Sequence, residues 1–207
     1  MKDLFEIKKL WVIMLAQAAC LVACGDETLE SIPLRSIFYT LDGSTVKLGD
    51  PSPIAVDLNN DEVVDFTVFI ELTANKDGDH LYAGINPLRE NSIKAELPDD
   101  SRFLNMGLLV EEPLDGIIGQ ELETNQHWSR HYNALVIRHT NNDGSIGYEG
   151  FWADSNSGMV GIQLKNEGKD YFGWLRLHFE KATEIITLVD YAVNITENEP
   201  VRAGDRD

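Results

Sequence analysis

The clearest pattern along the chain begins at Val64, where Val64, Phe66, Val68, Ile70 and Leu72 alternate with Asp65, Thr67, Phe69 and Glu71. A period of two with one apolar face predicts a half-buried strand. The same beat returns from Tyr171 to Glu180, setting Leu175, Leu177 and Phe179 on one face and Trp174, Arg176 and His178 on the other. Shorter apolar runs at Ile32–Leu41, Thr45–Leu48, Ile54–Val56, His80–Ile85, Ala134–His139, Glu149–Trp152, Met159–Leu164 and Ile185–Val193 read as further strands. Asp42-Gly43, Asn75–Asp79 and Asn141–Gly144 punctuate them as turns,. No stretch keeps a long helical period, so the expected class is all-β, a β-sandwich or jelly-roll-like fold. The pattern fades from Asn86 to Asn133, where Pro87, Pro98 and Pro113 interrupt it. Long loops and one short helix are expected there, and loops on a rigid sandwich are where a ligand site belongs.

The first residues follow a different logic. Lys2, Lys8 and Lys9 precede the short apolar run Leu10–Ala16, too short and wrongly flanked for a spanning helix,. Leu21-Val22-Ala23-Cys24 resembles the lipobox of bacterial lipoproteins, with Leu three before the cysteine and a small residue just before it. That resemblance implies a signal peptide over residues 1–23 and acylation of Cys24 as the mature N-terminus. An acidic tether over residues 24–31 and a β domain over 32–207 would follow. It implies a partner, the lipid bilayer, and a place, the cell envelope. Acidic residues just after the cysteine lean that expectation towards the outer membrane and its exposed face. Acylation by more than one chain holds a protein stably at a membrane.

Charge narrows the partners. The 207 residues carry a formal charge of −18, and the leader is itself slightly basic, so the body is strongly acidic. Such a surface repels nucleic-acid phosphates and anionic membranes and attracts cations, which sets nucleic-acid binding aside. Cys20 and Cys24 are the two cysteines, so nothing beyond Cys24 can form an intrachain disulfide. An exported domain without disulfides relies on its core or on a metal.

A metal candidate lies just ahead of the cleanest strand. Asp57, Asn59, Asp61 and Asp65 put side-chain oxygens at loop positions 1, 3, 5 and 9, with the Val63 carbonyl at 7. A hard cation of six to eight oxygen ligands suits that set. The segment resembles the D-x-[DN]-x-D-G-x-x-D calcium loops of adhesion and cell-wall modules, but Glu62 stands where those loops have Gly. A non-Gly residue in a left-handed conformation costs on the order of 1 kcal/mol. Either the loop turns differently or a bound cation offsets the strain. The competing reading is an Asx-rich turn that solvates itself through side-chain to backbone hydrogen bonds.

Three segments together look like a family of exported bacterial domains of unknown function. They are Asp57-x-Asn59-x-Asp61-x-x-x-Asp65-Phe66, Tyr171–Leu177, and Asp190-Tyr191-Ala192-Val193 ahead of Pro200–Gly204. The resemblance implies export and a β-sandwich, and brings no activity with it.

Catalytic signals are sparse. There is no G-x-S-x-G, H-E-x-x-H, phosphate loop or C-x-x-C,. His127 and His131 would share a zinc on a helix, but on a strand they would stand about 13 Å apart. Acids are too abundant to single out the carboxylate pair, about 5–10 Å apart, that glycoside hydrolysis needs. Trp174, Arg176 and His178 share a strand face suited to stacking a sugar ring, with Trp128 as a loop platform. The alternative places Trp174 under a loop or against a second sheet. The expected role is therefore a calcium-stabilised binding or surface-structural module, its ligand a glycan or a surface protein. A glycosidase or lyase of jelly-roll type is the alternative.

Overall fold

A computed structural model describes residues 36–97 apart from 77, and residues 106–207. The compact unit spans Arg35–Asp207. The leader, the lipobox with Cys24 and the acidic tether lie outside the described residues.

Strands account for the regular structure among the described residues, as the alternation predicts. The first five are β1 (Ile37–Leu41), β2 (Thr45–Lys47), β3 (Ile54–Val56), β4 (Phe66–Asn75) and β5 (Gly78–Pro87). Then come β6 (Ser92–Glu96), β7 (Gly107–Leu109), β8 (Ile117–Ile118), β9 (Gln126–Ser129) and β10 (Asn133–Asn141). The chain closes with β11 (Ile146–Glu149), β12 (Ser157–Asn166), β13 (Lys169–Glu180), β14 (Ile185–Asn194) and β15 (Val201–Arg202). The weak region between Asn86 and Asn133 thus contains short strands among its loops, and no helix is present among its described residues. Residues 98–105 of that region lie outside the described residues.

One large mixed sheet runs β1, β14, β13, β12, β6, β7, β10, β5, β4, β3, with β2 added to β14, β9 to β6 and β11 to β10. The β7–β10 pairing is parallel. The sheet curls until β2 and β14 lie against β4, so its two halves face each other as in a sandwich. Between them sits the main core. Phe66, Val68, Leu81, Ala83 and Ile85 come from one half, and Val160, Ile162, Leu175, Leu177, Phe179, Leu188 and Val193 from the other. Trp152, expected on a strand, sits instead in the turn after β11 and plugs this core.

A second apolar layer covers the outer face of β12–β14. Met159, Phe172, Trp174 and Ala192 are roofed there by Ile118, Trp128, Val201 and Ala203. The small β8–β15 ribbon, paired Ile117 to Arg202 and Ile118 to Val201, forms part of that roof. Burying both faces of a strand removes the polar half of its alternation. That is why β13 carries Trp174 on the face opposite Leu175 with both residues buried.

Candidate functional site

Loop 57–65 joins β3 to β4 at one end of the sandwich. Asp57 Oδ1 accepts the Asp61 N–H and Oδ2 the Glu62 N–H, at 3.2 and 2.8 Å. Asn59 Oδ1 also accepts the Asp61 N–H, at 3.2 Å, and Asp61 Oδ1 accepts the Val63 N–H at 2.9 Å. Asn59 donates its amide to Asp61 Oδ2. These bonds wind the loop around its own side chains. Glu62 is left-handed at φ 66°, as is Asn60 at 57°. The position that calcium loops give to Gly is therefore left-handed here too, with a Cβ to accommodate.

Asp65 behaves differently from the others. It is buried, with Oδ2 accepting the Leu58 N–H at 2.9 Å and Oδ1 accepting the Asn91 amide at 3.1 Å. Burial pushes its carboxyl above the ordinary range, against the downward pull of the Leu58 N–H and the Asn91 amide. The charges of Asp61 and Asp57 add to the rise, which places the three acids within electrostatic reach of one another.

The donor set is all oxygen, as calcium requires, and each N–H contact occupies one lone pair of a carboxylate oxygen that has two. The residues fit the ion in chemistry. Among the described residues, no three His, Cys, Asp or Glu side chains already gather around a single point. A cation would have to draw Asp57 and Asp61 towards Asp65.

The expected sugar platform is not formed as such. Trp174 is fully buried and donates its indole N–H to the Asp205 carbonyl at 3.2 Å. Arg176 lies over Trp174 and pairs with buried Asp190 at 3.1 Å. Trp128 is half-buried and packs on Phe172 at 5.7 Å, and His178 is half-buried. The correction has a simple cause: β8, β15 and the segment after it fold over this face. His127 lies on β9, not on a helix, with His131 beyond its end, so the spacing that would bring them to one metal is absent.

Several polar groups escaped sequence reasoning. Asn91, 1% exposed, ties loop 57–65 to β12 by accepting the Lys165 N–H at 2.8 Å. Lys94 and Glu112 form a buried ion pair at 2.9 Å. His80 and His139 face each other across β5 and β10 with their Nδ1 atoms 2.8 Å apart. One ring must donate and the other accept. Glu149 lies 3.1 Å from the far nitrogen of His139. Lys94 stands between apolar Ile93 and Ala95, but nothing local in the sequence singles out Asn91, Glu112 or His80.

A glycosidase or lyase would present two carboxyls facing each other across a cleft. Glu111 and Glu112 line an open groove of about 300 Å³ with Ser157, Met159 and Arg176. Burial pushes both carboxyls up, and Lys94 partly offsets the rise at Glu112. Their side chains nonetheless take opposite faces of β12. Glu111 lies against Gly158 and the core residue Trp152, whereas Glu112 lies against Gly161 and the outer-layer residue Ile118. They do not face each other across the groove.

The chain matches no protein-family model, no curated protein and no solved structure. The likeness to exported bacterial domains therefore rests on its three segments alone.

Proposed function

We propose that the protein is a lipid-anchored module of the cell envelope, tethered through Cys24, whose sandwich is stabilised by calcium at Asp57, Asn59, Asp61, the Val63 carbonyl and Asp65, and whose role is binding. What supports the calcium reading is one observation: Glu62, at the position that calcium loops give to Gly, keeps a left-handed backbone. The bonds from Asp57, Asn59 and Asp61 to the loop's own N–H groups are equally those of an Asx-rich turn,. Three acids held within reach of one another in a chain of charge −18 repel each other, and a divalent cation removes that repulsion,. Binding is favoured over the glycosidase or lyase alternative because Glu111 and Glu112, the groove acids raised by burial, sit on opposite faces of β12.

Calorimetry on the full chain tests the calcium site. EGTA should lower the melting temperature and millimolar calcium should restore it, since a ligand that binds only the folded state stabilises by mass action. Asp61→Ala should erase the difference. A melting temperature indifferent to calcium in the wild type sinks the site.

A further inference from the structure

A second groove lies where β2 and the loop after it meet β4. It encloses about 320 Å³ between the loop Asp50–Pro53, the end of β2 and the outward residues of β4. Its platform is Tyr132, 54% exposed just before β10. Phe69 holds that ring edge to face, with centroids 5.5 Å apart at 87°. Phe69 can reach over β5 because Gly84 lies opposite it. A Cβ there would stand 3.0 Å from the Phe69 ring and 2.4 Å from the Asn133 carbonyl. A side chain at position 84 would lift both the platform and its support.

The walls are polar. Asp50, Glu71 and Asn86 line the groove beside Tyr132. Asp50 is fixed by accepting the Lys47 N–H through Oδ2 at 2.9 Å. Pro51 and Pro53 stiffen the loop that carries it,. An exposed large aromatic ring with a braced orientation is a surface for stacking. Carboxylates and an amide around it are acceptors for hydroxyl groups. A preformed groove of this kind spends little ordering entropy on binding. The groove also holds one cation, Lys47, but its two acids and the acidic body outweigh it and oppose an anionic ligand,.

We infer that this groove binds a neutral glycan, with one sugar ring stacked on Tyr132 and its hydroxyls bonded to Asp50, Glu71 and Asn86. The inference rests on the binding reading above and gives it a place and a ligand class. The platform expected at Trp174 and Trp128 is replaced by one at Tyr132.

Titration calorimetry of the full chain against cellohexaose, maltohexaose, mannohexaose and hexagalacturonate tests it. At least one neutral hexasaccharide should bind, hexagalacturonate should not, and Tyr132→Ala should weaken the binding at least tenfold. Tyr132→Phe should stay within threefold and keep the wild-type melting temperature, whereas Tyr132→Ala, which loses the edge-to-face contact with Phe69, should lower it by only a few degrees,. Binding that Tyr132→Ala leaves intact overturns the groove while sparing the binding reading. Binding of hexagalacturonate alone overturns the neutral class. Silence across the whole panel overturns the groove and the glycan-binding role together, whatever calcium does to stability.

Discussion

Asn91 offers the sharpest test of how the loop is held. Its amide nitrogen donates to Asp65 Oδ1 at 3.1 Å and to the Asp65 carbonyl at 3.2 Å, and its oxygen accepts the Lys165 N–H at 2.8 Å. Asn91→Ala leaves a buried carboxylate oxygen and a strand N–H without these partners. Each orphaned group costs about 1–3 kcal/mol, more for the charged one, so roughly 3–5 kcal/mol should be lost. At about 2–4 °C per kcal/mol for a domain of this size, the melting temperature should fall by about 10 °C. Asn91→Asp keeps the shape and the bond from Lys165 but sets a second carboxylate against Asp65. Its deficit should be large at pH 7 and shrink towards pH 5, because a shared proton relieves a pair of facing carboxylates. Urea denaturation at both values measures this. A loss under about 1 kcal/mol for Asn91→Ala, or an Asn91→Asp variant as stable as wild type at pH 7, would refute the network as the loop's anchor.

Glu62→Gly relieves a left-handed backbone at φ 66° and should add on the order of 1 kcal/mol in EGTA, visible as a melting temperature raised by a few degrees; a fall instead would mean the Glu62 side chain contributes something its backbone strain conceals. Asp65, Glu111 and Glu112 all carry carboxyls pushed up chiefly by burial. In the window just above the ordinary carboxylate range the folded state binds protons that the unfolded chain does not, so stability rises as pH falls through it. In EGTA, melting temperatures between pH 8 and about pH 5.5 should therefore climb on acidification, helped by the shrinking negative charge, and a steady decline over that range would contradict the assignment.

Much of the fold was legible because an inward face must be apolar wherever a strand has one dry side. Val68 and Ile70 on β4 and Leu175, Leu177 and Phe179 on β13 declared their strands in that way. The region after Pro87 did not, and β6 shows why. Ser92 and Lys94 are polar yet buried, satisfied by Gln163 and Glu112 from distant parts of the chain. No local pattern announces a partner so far away. Trp174 was assigned to the correct face, but the roof over that face comes from β8, β15 and the residues after it. The oxygen spacing of loop 57–65 was plain in the sequence, whereas Asn91, which fixes its last carboxylate, was not. Tyr132 and Phe69 are brought together only by the register of β4, β5 and β10, and so stayed invisible as a pair.

Asp190 has an implication for when the molecule can finish forming. Tyr39 on β1, Arg176 on β13 and Arg206 all converge on this one carboxylate, at 3.0, 3.1 and 2.9 Å, and β1 has β14 as its sheet neighbour. The first strand of the described residues must therefore wait for nearly the last before it has a mate, and the carboxylate they share gains its second guanidinium only with Arg206. Contacts this remote in sequence are slow to form. During synthesis β1 therefore has no sheet neighbour until β14 has emerged, and this edge of the sheet cannot close before then,.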